Sequence, residues 1–368
     1  MGDYTIKKKV LHIINSMAPG GAESLVANSL SAGGLSDYTE NHLAFFMAPS
    51  YLLNFLDKRV VVHFMDYKGM FDIFRLISNI KKIIIDNKID IVHSHLNPAS
   101  LYTHLACPKN VPQVHTIHTT YSMDTEQSPF KIWAERKFYL TLKNTNIILL
   151  SDFTKDDFLK TVPFKGKYFV LNNFVSDDFF NIKTNKPLPK NKQLRLIAIG
   201  TLKPLKNFEY LLEVFNYLKT SNISLDIYGG GDKLAYQGII DEKGLNIRLM
   251  GHSQNLNDII NDYDLFIMPS KFEGYPLSVF EAMAAGIPVM LSNIAPLKSI
   301  VKENAIYFEL NNAKETAEIV KAVFNEDIDI KKLSEKAKTF AEQHVRRDKY
   351  IKDLLYIYDN IAKQINLN

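Results

Sequence analysis

Short apolar runs recur along the chain with amphipathic stretches between them. They lie at residues 10–15, 42–46, 60–64, 89–93, 114–117 and 146–150, and again at 194–200, 224–228, 247–250, 264–268 and 287–291. These runs are apolar at consecutive rather than alternate positions, the pattern of strands buried on both faces. Residues 24–30, 71–85, 208–218, 279–283, 313–324, 330–344 and 349–365 instead carry apolar side chains at helical spacing. Alternation of buried strand and helix predicts parallel sheets joined by helical crossovers, a doubly wound α/β fold.

Between residues 173 and 193 the composition shifts to Asp, Asn, Lys and Pro, which reads as an interdomain linker. The expected division is a first domain at 1–175, a linker at 176–193, a second domain at 194–345 and a closing helix at 346–368. A return of that helix to the first domain is one option. The length of 368 residues agrees with two domains of about 150 residues each.

Two junctions between strand and helix carry candidate chemistry. After the first strand, Gly20 and Gly21 precede a helix, where a backbone can approach a ligand and a helix start offers amides to phosphate. The loop is not GxGxxG, which argues against a dinucleotide dehydrogenase. The second junction is residues 270–289, with Glu273 before a helix start and Glu281 within the helix. Pro276 suits the first turn and Gly286 the end. Backbone amides from Gly274 through Tyr275 and Pro276 to Leu277 border the loop, and carboxylates at this range accept hydroxyls. Phosphate on amides with hydroxyls on two carboxylates describes a nucleotide joined to a sugar. The plainer alternative is a solvated loop glutamate and a surface helix glutamate.

Histidines gather near strand ends as His93 with His95 and His115 with His118. No cysteine pattern or HExxH accompanies them, so no metal site is expected. His118, just past a strand, is expected to face a crevice, and His115 to lie buried. Asp262-Tyr263-Asp264 has the letters of a metal-binding DxD, but it stands before a strand, at the amino end, where doubly wound sheets do not bind ligands.

Composition narrows the class. Hydrophobic residues at 46% and charged residues at 23% describe an ordinary globular chain. A net charge of +4, from 44 basic against 40 acidic residues, is too even to argue for nucleic acid and compatible with anionic ligands or an anionic membrane. The single cysteine, Cys107, excludes an intrachain disulfide and fits a reducing compartment. Neither a signal-peptide core nor a span of about 20 apolar residues is present, so a cytoplasmic protein is expected. Residues 71–85 are basic as well as amphipathic, which fits either a crossover helix or a peripheral membrane contact.

Together these motifs resemble the retaining glycosyltransferases of family 4, over nearly the whole chain. The most specific part is EGYPLSVFEAMAAG at residues 273–286, which matches the family's E-x7-E pattern in spacing and flanks. The resemblance implies the GT-B architecture, two doubly wound Rossmann-like domains facing across a cleft, the first on the acceptor side and the second binding the nucleotide sugar. It implies that Glu273 contacts the donor sugar, Glu281 the ribose, and residues 274–277 the sugar hydroxyls and phosphate. The family's G-R-L-x-x-x-K signature maps onto residues 200–206, with Gly200 at its start and Lys206 as the diphosphate lysine. Thr201 stands where the arginine is usual, and lysine and arginine are not equivalent as phosphate ligands. His118 resembles the histidine beside the reaction centre, Gly21 the glycine near the phosphates, and Gly251-His252 the loop near the base. Gly229-Gly230-Gly231 resembles a glycine turn of the nucleotide domain.

The implied reaction is metal-independent transfer, with retained configuration, from a UDP- or GDP-sugar to a hydroxyl of a glycan or lipid-linked acceptor, in surface polysaccharide synthesis. No cofactor is expected. A nucleotide-sugar epimerase of the same fold and a non-catalytic nucleotide- or glycan-binding scaffold are the alternatives.

Overall fold

A computed structural model describes residues 7–118, 137, 139, 145–162, 164–182, 193–253 and 255–365. Outside these fall the expected loop positions 119–122 after His118 and most of the expected linker, 183–192. The chain forms two compact units, the first 1–174 with 347–368 and the second 175–346.

The first unit is a parallel sheet of β1 (Lys9–Ser16), β2 (Glu40–Met47), β3 (Val61–Phe64), β4 (Ile91–His95), β5 (Gln113–Ile117), β6 (Asn146–Leu149) and β7 (Lys167–Val170). Their order is β3-β2-β1-β4-β5-β6-β7. Each apolar run in this half of the sequence became a strand; β1, β2, β4, β5 and β6 are buried because helices cover both sheet faces, whereas β3 is a mostly exposed edge strand. On one face Val10, Ile14, Leu43, Phe45 and Ile91 pack with the helices Gly21–Ser29 and Arg347–Ile365. On the other, Leu11, Ile13, Ala44, Phe46 and Val92 meet the helices Ile73–Asp86 and Ala99–Ala106. The last helix buries Tyr350, Ile351, Leu354, Ile357, Tyr358 and Ile361 against the first face. Each such side chain contributes about 1.5–3 kcal/mol of burial.

The second unit repeats the plan with β8 (Leu194–Ile199), β9 (Ile223–Tyr228), β10 (Ile247–Gly251), β11 (Leu265–Met268), β12 (Val289–Ser292) and β13 (Ile306–Phe308), in the order β10-β9-β8-β11-β12-β13. Leu196 and Ile267 face a core with the helices Phe208–Asn216 and Ala313–Phe324, while Ile197, Phe266 and Met268 face Leu277–Ala284 and Ile330–His344. Within the stretch expected to be linker, the short helix Asp177–Phe180 buries Phe179 and Phe180 in this second core.

The structure adds two strands to those read from the sequence. β7 and β13 are short edge strands, and β7 is mostly exposed, so neither has the long apolar run that marks a central strand. Residues 71–85 prove to be a crossover helix that buries Leu76, Ile80 and Ile84 at intervals of one turn.

Both sheets reverse strand order at their centres, between β1 and β4 and between β8 and β11. Ligands of such sheets bind outside the carboxyl ends of the strands at this point. In the second unit those ends are closed tightly. Gly200 N donates to Tyr228 O at 2.8 Å, Leu202 N to Gly230 O at 2.8 Å and Gly229 N to Gly251 O at 2.8 Å. Gly229 has φ of +155°, and a Cβ there would stand 1.8 Å from the Gly200 carbonyl oxygen. We expect Gly229→Ala to lower stability by about 1–3 kcal/mol in thermal or urea unfolding. Gly230→Ala, where a Cβ meets nothing within 4 Å, is expected to unfold like the parent.

Candidate functional site

The second unit gathers its candidates on the loops that leave β8 and β11, adjacent strands at the point of reversal. The β8 loop runs from Gly200 through exposed Thr201 and Lys203 to a single 3-10 turn, Pro204–Lys206. Asn207 follows with φ of +54°, and its side chain donates to Pro269 O at 3.1 Å, so the turn ends against the β11 loop. Lys271 N donates to Leu205 O at 2.9 Å. These bonds fix the two loops to each other before any ligand is considered.

Across that join, Lys206 Nζ donates to Glu273 Oε1 at 2.7 Å. Ser270 Oγ donates to the same oxygen at 2.5 Å, and Ser270 O accepts from Ser292 Oγ at 2.6 Å. Glu273 is 7% exposed, so its charge depends on these donors, and charge-assisted bonds are about twice as strong as neutral ones. A carboxylate held on one oxygen by an ammonium and a hydroxyl is a rigid acceptor. Ser270 escaped the sequence reading; its only signal is a hydroxyl three residues before Glu273 in a loop.

Gly274, Tyr275, Pro276 and Leu277 follow. Pro276 is the N-cap of the helix Leu277–Ala284 rather than a residue of its first turn, and no side chain caps it. The first amides of that helix therefore have no side-chain acceptor, the condition under which a helix start receives an anion. Tyr275 stacks on Phe280, with ring centroids 5.0 Å apart. Glu281 lies on the second turn, partly buried, and burial pushes its carboxyl up to about 7. Gly251 ends β10 and His252 follows it. Gly251, with φ of +82°, is tied to the β8 loop through Gly229, and His252 is exposed.

The Asp262-Tyr263-Asp264 triplet has a structural occupation at the opposite end of these strands. Arg195 N donates to Asp264 Oδ2 at 2.8 Å, and Tyr263 Oη donates to Asp226 Oδ2 at 2.6 Å.

In the first unit, the helix Gly21–Ser29 begins directly after Gly20. Its open amides were expected to meet phosphate. The structure puts the Glu23 side chain over the loop, so that a Cβ on Gly20 would stand 2.3 Å from Glu23 Oε2, and burial raises the Glu23 carboxyl. Gly21 is exposed, with nothing within 4 Å of a Cβ. An anion approaching this helix start meets an acidic side chain there.

His118 follows β5 and bonds to His95, Nε2 to Nδ1, at 3.2 Å. Burial pushes His118 down to about 3 and His12 to about 4, so both are neutral imidazoles at pH 7. His115 is buried on the opposite face and bonds to Ser94 Oγ. His12, His93 and His95 each bring a ring nitrogen within 4.8 Å of the others. However, both nitrogens of His93 are engaged, by Tyr358 Oη and by Thr116 Oγ1, each at 2.7 Å. Its ring also lies 4.1 Å from that of His95 at a 31° tilt.

Two family models match the chain: Glycosyltransferase Family 4 over residues 20–179 and Glycosyl transferases group 1 over residues 180–340. The chain is 27% identical over 305 residues to the Escherichia coli UDP-Gal:alpha-D-GlcNAc-diphosphoundecaprenol alpha-1,3-galactosyltransferase, covering 76% of this chain and 75% of that one. It is 28% identical over 325 residues to the Staphylococcus aureus capsular polysaccharide biosynthesis glycosyltransferase CapH, covering 82% of this chain and 87% of that one. Among solved structures, a Rickettsia africae glycosyltransferase superposes with a TM-score of 0.80 at 19% identity, over 97% of this chain and 99% of that one. Anabaena HepE with UDP and glucose superposes at 0.78 and 15% identity, over 96% and 100%. At these identities the superpositions establish the fold.

The raised Glu281 carboxyl carries a stability prediction. A carboxyl raised above its unfolded value favours the folded state at low pH, and this contribution fades as pH rises from about 4.5 through about 7. Relative to wild type, Glu281→Gln is expected to gain about 2–5 °C in Tm on going from pH 5 to pH 8. An unchanged difference between the two melts at both pH values contradicts this.

Proposed function

The chain belongs to the group 1 glycosyltransferases of family 4 type, with the paired Rossmann-like sheets of the GT-B architecture. From that premise we propose retaining transfer of a sugar from a UDP- or GDP-sugar to a hydroxyl of a glycan or lipid-linked acceptor in surface polysaccharide synthesis. The observation that carries the reading is the Lys206–Glu273 pair joining the β8 and β11 loops where the sheet reverses. The relatives add the chemistry in their names: a UDP-sugar donor and a lipid diphosphate acceptor in one, capsular polysaccharide in the other.

In this reading the bond from the anomeric carbon to the diphosphate oxygen breaks, and a bond to the acceptor oxygen forms with the same configuration. Negative charge grows on the departing diphosphate. Lys206 and the uncapped amides of the helix Leu277–Ala284 are the groups suited to hold it, so the step needs no metal ion. The second oxygen of Glu273, free of the Lys206 and Ser270 bonds, accepts a sugar hydroxyl, and Glu281 accepts the ribose hydroxyls. Exposed Thr201 leaves the diphosphate with Lys206 as its fixed cation in that loop. His118 orients the donor sugar.

With the true donor and acceptor, Glu273→Gln is expected to lower kcat by about a hundredfold in protein that still folds, with a lowered melt from loss of the Lys206 ion pair. Wild-type turnover is expected to persist in EDTA. Undiminished turnover in Glu273→Gln contradicts the site, and loss in EDTA restored by Mn2+ contradicts the metal-free step.

Peripheral membrane contact belongs to the same proposal. No helix among the described residues is long and apolar enough to cross a membrane. Phe71 and Phe74 nevertheless stand 99% and 86% exposed at the start of the helix Ile73–Asp86, and Lys81 and Lys82 are exposed further along it. Two exposed aromatic rings beside lysines suit an anionic bilayer surface. We expect sedimentation with vesicles containing phosphatidylglycerol, reduced about tenfold in the double variant Phe71→Ser, Phe74→Ser. Equal sedimentation of both proteins contradicts the contact.

A further inference from the structure

The carboxyl half of the first sheet carries an unusual line of imidazoles on one face. Strand alternation puts His93 and His95 on the same side of β4, and parallel register sets His12 beside His93 and Thr116 beside His95. His118, two residues beyond Thr116, keeps that parity. The amphipathic helix Arg347–Ile365 packs its apolar side over this face and delivers Tyr358 Oη to His93 Nδ1 at 2.7 Å. With Thr116 Oγ1 on its other nitrogen, the His93 ring is fixed at both ends.

His95 is held by its neighbours in turn. Its ring lies 4.1 Å from that of His93 and 5.9 Å from that of His12, the latter at a 14° tilt. It is 2% exposed, and its Nδ1 meets His118 Nε2 at 3.2 Å. Its Nε2 is buried and has no hydrogen-bond partner among the described residues.

Both rings are neutral, so one hydrogen lies between the two facing nitrogens, and there are two ways to place it. If His118 donates, His95 must carry its own proton on Nε2, burying an N–H with no acceptor. If His95 donates, its Nε2 is a bare lone pair, and orphaned acceptors are tolerated in protein interiors better than orphaned N–H groups. The hydrogen bond made by one ring nitrogen sets the protonation of the other.

We infer that His95 is a positioning residue that donates Nδ1–H to His118 Nε2 and thereby fixes the proton of His118 on Nδ1. His118 then meets a ligand as a hydrogen-bond donor through Nδ1. It orients a sugar hydroxyl or oxyanion and takes no proton from the acceptor. This rests on the transferase reading for the identity of the ligand, whereas the tautomer itself does not.

The test is long-range 1H–15N correlation on the full-length protein labelled with 15N-histidine, at pH 7.5, with the His118 signals assigned by their loss in His118→Gln. The expected pattern is pyrrole-type nitrogen at Nδ1 and pyridine-type at Nε2 of His118. His95→Asn retains an amide N–H near the place of Nδ1 and is expected to keep that pattern, with transfer within about threefold of wild type. His95→Leu removes the donor and is expected to give a mixture of His118 tautomers, with kcat lowered about tenfold or more. A wild-type His118 protonated at Nε2, or an unchanged tautomer in His95→Leu, overturns the inference. The wild-type spectrum decides even if His95→Leu does not fold. Absence of sugar transfer with the expected tautomer counts against the transferase reading alone.

Discussion

The ion pair of Lys206 with Glu273 is the contact on which the carboxyl edge of the second sheet depends. It joins loops from adjacent strands that are about 70 residues apart in sequence, and it is nearly withdrawn from water on the carboxylate side. A buried carboxylate without its cation is strongly unfavourable, so the surrounding backbone is organised to keep the two together. Asn207 in the left-handed region, the Lys271-to-Leu205 bond and the support of Ser270 by Ser292 all act on the same short distance. The glycines at 200 and 229 let the neighbouring β9 loop approach without displacing it.

The first sheet solves a different problem at the equivalent reversal of strand order. There the side chains at the strand ends are imidazoles buried without carboxylates among their bonded partners, so they are neutral and are ordered by hydroxyls and by one another. The closing helix supplies one of those hydroxyls, which ties the last stretch of sequence to a strand end formed by residues 91–95. Glu23 over the glycine loop makes the helix start there less open to an anion than its glycines alone suggest.

Much of this was legible in the sequence. Consecutive apolar positions identify the central strands because burial on both faces leaves no alternative, and the E-x7-E spacing singles out Glu273 and Glu281. The short edge strands Lys167–Val170 and Ile306–Phe308 lack that pressure and carry no such run. The sequence also could not show that Lys206 reaches Glu273, since a pair 67 residues apart depends on strand order. Nor could it show that Tyr358 orders His93, which depends on where the final helix packs. The glycine loop differs in one respect: the sequence pattern begins its helix at residue 24 and leaves Glu23 in the loop, whereas the helix starts at Gly21 and the Glu23 side chain folds back from its first turn over Gly20.

The central claim is that Lys206 and the loops it joins bind a nucleotide sugar, and thermal unfolding with a panel of UDP- and GDP-sugars tests it most directly. At saturation one donor is expected to raise Tm by about 5 °C, because a ligand bound only to the folded state stabilises it, and Lys206→Ala is expected to lose that shift. No shift with any nucleotide sugar, or an equal shift in Lys206→Ala, contradicts the account.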